Sequence, residues 1–348
     1  MQKIKAYAAH SATSRLVPFE IQRREVGDHD VLIEIAYCGI CHSDVHQARD
    51  EWGGSLFPMV PGHEIVGRVV RAGRHVQKLK PGDLAGVGCM VDSCRSCASC
   101  ERDLEQFCEK GAAFTYNGTE MDRKTPTFGG YSSHIVVDER FTLKIAPGVD
   151  LAGTAPLLCA GITTYSPLRH WKTGKGSRVG VVGLGGLGHV AVKLAASMGA
   201  EVTMLSTSRS KEADARRLGA HEFALTSDDR TFKALAGRLD LIIDTISAPH
   251  DLNKYLGLLR VDGAMVLLGV PPEPARVAAF SLIGGRRTLA GSLIGGIAET
   301  QEMLDHCARH HIVADVEQIA IRDVNEAYDR MVRADVRYRF VIDVKTLG

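Results

Sequence analysis

No apolar run in this chain approaches the roughly 18 residues that a membrane-crossing helix requires. The first twenty residues, MQKIKAYAAHSATSRLVPFE, hold no apolar core of signal-peptide length and no small-residue cleavage pattern, so secretion is not expected. Charge of one sign is not in excess either. Forty-two Lys and Arg balance 41 Asp and Glu, mixed along the chain, and the formal charge of +1 recommends neither nucleic acid nor an anionic membrane as a partner. Internal repeats and low-complexity tracts are missing as well. A soluble, cytoplasmic protein acting on a small molecule is the expectation, and 348 residues suggest about two domains.

Texture divides the chain. Up to about Pro147, short alternating or apolar runs such as DVLIEIAYCGI, EIVGRVVRAG and YSSHIVVDERF are cut by Gly and Pro, which predicts a β-rich domain with long loops. LAGTAPLLCAGITTYSPLRHW then reads as helical. After it, RVGVVGLG, GLGHVAVKLAASMGA, EVTMLSTS and SKEADARRLGA alternate strand and helix, the mark of a doubly wound parallel sheet. From about Ile294, AETQEMLDHCARHHI predicts a helix and YRFVIDV a last strand that returns to the first domain. The expected division is residues 1–155 with 295–348, and residues 156–294.

What the chain has in quantity is cysteine, nine in all. Disulfides suit a reducing compartment poorly, so clustering points to metal. Cys94, Cys97, Cys100 and Cys108 stand as C-x2-C-x2-C-x7-C, enough thiolates to enclose a tetrahedral zinc ion with no open position. An iron–sulfur cluster or two disulfides remain open, although the Cys-Pro that follows such runs in bacterial ferredoxins is absent. Cys41, His63 and Cys159 offer two sulfurs and one nitrogen, a set that leaves a fourth zinc position free for substrate. Alone, Cys159 also reads as a small buried hydrophobe.

Gly183-Leu184-Gly185-Gly186-Leu187-Gly188 supplies G-x-G-x-x-G between an apolar strand and a helix, the context in which that motif binds a dinucleotide pyrophosphate. Here another absence informs. About twenty residues on, where NAD-binding chains place an acid for the ribose 2′-hydroxyl, MLSTSRSK has none. Ser206, Thr207 and Ser208 with Arg209 and Lys211 suit a 2′-phosphate, hence NADP(H). A solvated helix start capped by Ser208 or Ser210 is the plainer alternative, and the two are compatible.

Gly62-His63-Glu64 with Gly67, Gly73 and Val76 completes GHExxGxxxxxGxxV. With the cysteine lobe and glycine turn, the chain resembles the zinc-containing medium-chain alcohol dehydrogenases over essentially its full length. CGICHSDVH and PLLCAGITTYSPLRHW are most similar to the cinnamyl alcohol dehydrogenase branch and its bacterial broad-range aldehyde reductases. The resemblance implies an α/β chain: a GroES-like β-rich catalytic domain, a Rossmann NADP-binding domain, an active site in the cleft, two zinc ions per chain and a homodimer formed through the Rossmann domains. It implies Cys41, His63 and Cys159 as catalytic zinc ligands, and Glu64 as either an alternative ligand or a charge balancing the metal. Asp44 would orient His63, while Ser43 and His46 would relay the proton needed by a carbonyl oxygen as hydride arrives. Thr163, Thr245, Gly269, Val270 and Ser292-Leu293-Ile294 would line the cofactor. Arg339 would meet its pyrophosphate, although a surface arginine needs no such role. Trp52, Met90, Leu187 and Leu293 would line an apolar cleft for aromatic or medium-chain aldehydes. An NAD-linked alcohol or polyol dehydrogenase and a non-catalytic zinc or NADPH-binding protein are the rival readings.

Overall fold

The computed structural model describes residues 2–348 and separates into two compact units. One runs to Ile162 and resumes from Gly295 to Gly348; the other is Thr163–Ile294. No helix among the described residues is long and apolar enough to cross a membrane.

The first unit is built on a 7-stranded sheet in the order Leu143–Lys144, Leu84–Val87, Ile65–Ala72, Asp30–Gly39, Arg339–Asp343, Val316–Ala320, with His134–Asp138 also pairing Asp30–Gly39. Asp30–Gly39 is an interior strand buried along most of its length: Val31, Ile33 and Ile35 are at most 3% exposed and Leu32 6%, whereas Glu34 faces out. Register then positions the chemistry. Cys38 pairs with Ile65, so the segment entering one strand, His63-Glu64, lies beside the segment leaving the other, Ile40-Cys41. Val341 pairs with Gly39, which brings Arg339 to the same end of the sheet and sets the last strand beside one from the first part of the chain.

The stretch expected as one helix is broken. Leu151–Thr154 is α-helical, Ala155–Leu158 is a 3-10 turn with Pro156 near its start, and a second helix, Ala160–His170, follows. Proline admits a helix start but removes an interior hydrogen bond, and the break leaves Cys159 at the junction with φ −127° and ψ −67°.

The second unit carries a 6-stranded sheet, every pair parallel, in the order Glu222–Leu225, Glu201–Ser206, Arg178–Val182, Leu239–Asp244, Leu259–Leu267, Thr288–Gly291. By chain order this is 3-2-1-4-5-6, the dinucleotide-binding arrangement. Helices on both faces of a parallel sheet demand strands apolar on both sides, and Val179, Val181, Val182, Val202, Met204, Leu205, Ile242 and Ile243 are wholly buried. The edge strand Glu222–Leu225, four residues with only Ala224 buried, has too short an apolar pattern to be legible in the sequence. SKEADARRLGA begins as a 3-10 turn, Arg209–Lys211, before the helix Glu212–Arg217.

Candidate active site

Two clusters among the described residues could hold a metal ion, and each brings its donor atoms within 4.8 Å of one another. In the lobe, Sγ atoms of Cys97 and Cys100 are 3.5 Å apart and those of Cys94 and Cys100 3.9 Å. A disulfide would need about 2.05 Å; all nine cysteines are free. Four thiolates on a zinc ion at about 2.3 Å stand about 3.8 Å from each other, so the spacing fits one ion and is too tight for a cage of iron and sulfide. Backbone N–H groups point at the sulfurs: Cys94 donates to Cys108 at 3.4 Å and Glu109 to Cys97 at 3.5 Å. The Ser96 amide, the largest such influence, brings the Cys94 thiol down to about 6. The lobe is anchored by Glu105, whose carboxylate accepts from Ile297 N at 3.0 Å.

The second cluster is Cys41, His63, Glu64 and Cys159. Cys41 caps the helix His42–Ala48, and Asp44, three residues on, returns its Oδ2 to Cys41 N at 2.8 Å, closing a capping box. The other oxygen of Asp44 faces His63 Nδ1 at 3.3 Å and accepts from Gly62 N at 3.1 Å. A carboxylate on Nδ1 leaves Nε2 free to ligate a metal ion. Cys41 and Cys159 Sγ are 3.9 Å apart, again a tetrahedral edge. The two thiols share a hydrogen bond that drives Cys41 well below, and Cys159 well above, the ordinary thiol value.

Glu64 is wholly buried. Its Oε1 is ion-paired with Arg339, while Oε2 has no hydrogen-bond partner. Burial raises its pKa to about 8 against the pull of Arg339. A buried carboxylate clustered with two thiols and an imidazole, one of its oxygens without a partner, is a donor set that a cation would satisfy. Arg339 is not a surface residue: it is 5% exposed, its strand lies inside the sheet between Asp30–Gly39 and the edge strand Val316–Ala320, and its guanidinium pairs with Glu64.

Ser43 Oγ lies 3.6 Å from Cys41 Sγ. His46 follows one turn later on the same face of the helix. Its Nδ1 meets Glu51 Oε2 at 2.5 Å and its ring stacks on Trp52 at 4.8 Å, so Trp52, 48% exposed, packs on the imidazole as well as facing solvent. Met90 is buried.

Several supports were not read from the sequence. Tyr131, wholly buried, places its hydroxyl 3.4 Å from Asp44 Oδ2, and the Tyr116 ring stacks on His63 at 5.7 Å. Arg23 donates to the carbonyls of Phe128, Gly129 and His134, and Gly129, Gly130 and Tyr131 N in turn bond to Val60, Gly62 and Pro61, which precede His63. Cys89 is a further thiol close enough to His63 to favour its charged form. None sits at a recognisable spacing from a ligand; only Glu51, five residues after His46, gave a local signal.

In the second unit each motif glycine has its own reason. Gly183 has φ +91°, closed to most side chains. A Cβ on Gly188 would come 1.8 Å from Gly183 O, so the helix could not pack on the strand, whereas a Cβ on Gly185 would meet nothing within 4 Å, which leaves that face open to a pyrophosphate. Leu187 is half-buried and Gly186 likewise. Thr245 Oγ1 donates to Val182 O at 2.8 Å, Gly269 N bonds to Asp244 O at 3.3 Å and Ser292 N to Leu267 O at 3.3 Å. Thr163 is buried and Ile294 nearly so, while Val270 and Leu293 are 64% and 49% exposed.

Ser206 ends its strand and Ser208 N bonds to its Oγ at 3.3 Å; Thr207 and Arg209 are exposed. Glu201 stands at the far end of that strand, so no acid occupies the ribose position. Two details refine the sequence reading. Glu212 reaches back to within 3.6 Å of Arg209, and Lys211 Nζ donates to Leu184 O at 2.9 Å, tying the strand end to the glycine turn.

Residues 27–147 match the model of the alcohol dehydrogenase GroES-like domain, and residues 186–309 that of the zinc-binding dehydrogenases. The chain is 56% identical over 348 residues to NADP-dependent alcohol dehydrogenase C 1 of Mycolicibacterium smegmatis, covering 100% of this chain and 99% of that one. It is 55% identical to aldehyde reductase YahK of Escherichia coli, with 99% of each covered. Among solved structures, cinnamyl alcohol dehydrogenase SbCAD4 of Sorghum bicolor superposes with a TM-score of 0.95 at 43% identity, over 99% of this chain and 98% of that. The Helicobacter pylori enzyme solved with NADP(H) gives 0.92 at 44%, with the same coverage.

Proposed function

Because the chain belongs to the zinc-containing medium-chain alcohol dehydrogenases, we propose that it is an NADP-dependent alcohol dehydrogenase and aldehyde reductase, interconverting aldehydes and primary alcohols. The observation that carries this reading is the cluster of Cys41, His63, Glu64 and Cys159, whose donor atoms lie within 4.8 Å of one another. Cys41, His63 and Cys159 would hold a catalytic zinc and Glu64 would offer a fourth donor; Cys94, Cys97, Cys100 and Cys108 would hold a second, structural zinc. When bound, zinc supplies a Lewis acid for the carbonyl oxygen and NADPH supplies the hydride.

The chain provides the remainder. Asp44 holds the His63 ring through Nδ1, and the buried Glu64–Arg339 pair keeps the carboxylate in place. Ser43 delivers the proton that the reduced oxygen requires. His46 resupplies Ser43, and because Glu51 occupies Nδ1, only Nε2 is left for that exchange. His46→Gln is expected to lower kcat by about 10²-fold, with partial rescue by added imidazole; an unchanged kcat would remove His46 from the relay.

Thr163–Ile294 is assigned as the NADP-binding domain and the remainder as the catalytic domain. Its cofactor wall would comprise the Gly183–Gly188 turn, Ser206–Ser208, Arg209, Lys211, Thr245, Gly269, Val270 and Ser292–Ile294. Trp52 and Met90, apolar and bulky, suit aromatic and medium-chain aldehydes better than polyols. A homodimer is supported by the outer edge of Thr288–Gly291, unpaired in its sheet, and by Phe280, Ile283 and Val261, which are 79%, 67% and 59% exposed. A cytoplasmic location suits a chain whose nine cysteines, six of which would hold zinc, form no disulfide.

Initial rates over a panel of aromatic, aliphatic and sugar-derived aldehydes, each with NADPH and NADH, test the assignment. Aromatic and medium-chain aldehydes should be reduced fastest, with NADPH. Preference for NADH or for polyol oxidation would overturn it.

A further inference from the structure

At the end of the strand Leu239–Asp244, a carboxylate and an imidazole meet that take no part in the chemistry above. Asp244 is 2% exposed and lies beside Val182, the residue before the first motif glycine. It gathers four bonds. Its carbonyl accepts from Leu268 N at 2.9 Å and Gly269 N at 3.3 Å. Its Oδ1 accepts from Ile246 N at 3.1 Å, and its Oδ2 faces His250 Nε2 at 2.9 Å. The other ring nitrogen of His250, Nδ1, faces Ala248 O at 2.9 Å.

Both nitrogens of His250 therefore face oxygens that only accept, a carbonyl and a carboxylate. A neutral imidazole has one N–H and can serve only one of them; the imidazolium serves both. The turn it closes, Thr245–His250, packs on the dinucleotide motif. A Cβ on Gly183 would meet Ile246 Cγ1 at 3.0 Å and Thr245 Oγ1 at 3.1 Å, and one on Gly269 would lie 2.1 Å from Ile246 O. No slack separates this turn from the two glycines at the switch point of the sheet, where dinucleotides bind.

We propose that His250 is a positioning residue for the dinucleotide: as an imidazolium it bolts the Thr245–His250 turn to Asp244 and so holds the cofactor wall formed by Thr245 and Ile246. The inference rests on reading Gly183–Gly188 as the dinucleotide site and goes beyond it by making cofactor affinity depend on a proton that the reaction does not use. The charged and titratable neighbours are Asp244 on the strand, Asp251 at the head of the next helix, Tyr255 on that helix with its ring 5.5 Å away, and Glu273 and Arg276, which line the same cavity of about 510 Å³. The Asp244 hydrogen bond, against partial burial and helped by Ala248 O, raises the His250 pKa above its ordinary value. A raised histidine pKa means that the bolt is fully in place at and below about pH 6.5 and is lost as pH rises through the folded value.

The test is the Kd of NADPH and of NADH, from nucleotide fluorescence, for the wild-type protein and His250→Gln between about pH 6 and 9. In the wild type both cofactors should weaken towards high pH by about tenfold, the lower end of what a lost hydrogen bond to a charged group delivers. His250→Gln should bind both as weakly at pH 6 as the wild type does at pH 9, with kcat at saturating cofactor nearly unchanged. Using NADH removes the titration of the 2′-phosphate from the comparison. Parallel pH profiles in wild type and variant would overturn the proposal, whereas a wild type that bound neither cofactor would refute the reading of the glycine turn itself. Imidazole ¹⁵N spectra of the wild type, assigned by difference with the variant, give a second reading that needs no variant to bind. Both His250 nitrogens should be protonated near neutral pH, and a neutral tautomer at about pH 6.5 would equally overturn it.

Discussion

Cys159→Ser is expected to leave one zinc ion per chain instead of two and to lower kcat/KM for aldehyde reduction by roughly three orders of magnitude or more. The serine hydroxyl stays protonated near neutral pH and is a poor zinc ligand. The remaining donors Cys41, His63 and Glu64 would then be left buried without a cation, and buried uncompensated charge is costly. Metal analysis by plasma mass spectrometry alongside initial rates reads both effects. Cys97→Ser is the matching experiment on the lobe. It should also leave one zinc, but the loss should appear as a lowered Tm, because a closed four-thiolate site contributes folding energy and no chemistry. Full metal content in Cys159→Ser, or equal loss of activity per folded chain in the two variants, would undo the division into catalytic and structural sites.

The second large effect is expected at the end of the strand Glu201–Ser206. Thr207→Asp should raise the KM for NADPH by about 10²-fold, since two unit charges near 4 Å at an effective dielectric of about 20 repel by about 4 kcal/mol before screening at an exposed site reduces it. NADH should bind the same variant better, because a carboxylate there accepts from a free 2′-hydroxyl. Arg209→Gln should weaken NADPH by about tenfold and leave NADH nearly unchanged. Lys211 behaves differently. Its ammonium already holds Leu184 O of the glycine turn, so Lys211→Gln should weaken both cofactors. Equal losses for NADPH and NADH in Arg209→Gln would mean that this segment does not read the phosphate.

What was legible in the sequence is short-range. C-x2-C-x2-C-x7-C spans fifteen residues, and a chain folded that tightly brings four sulfurs to one ion almost wherever it sits. The glycine turn is readable because each glycine answers a local backbone demand, a positive φ at Gly183 and a steric limit at Gly188. The missing acid after it is readable because strand length alone sets where that residue falls. Cys41, Ser43, Asp44 and His46 share one helix start, so their mutual placement also follows from helical geometry.

Partners far apart in the chain are decided elsewhere. Cys159 reaches Cys41 across 118 residues and could be taken for a core thiol until the break in its helix is seen. Arg339 reads as a surface arginine, yet the pairing of Val341 with Gly39 buries it against Glu64, 275 residues away. Asp244 and His250 are six residues apart, but the turn between them also packs against Gly183 and Gly269, which no local pattern foretells. Local backbone geometry and ligand spacing are thus determined by the sequence itself. Which charge is buried, which oxygen lacks a partner and which imidazole must carry two protons depend on sheet register and desolvation, and only the tertiary structure decides them.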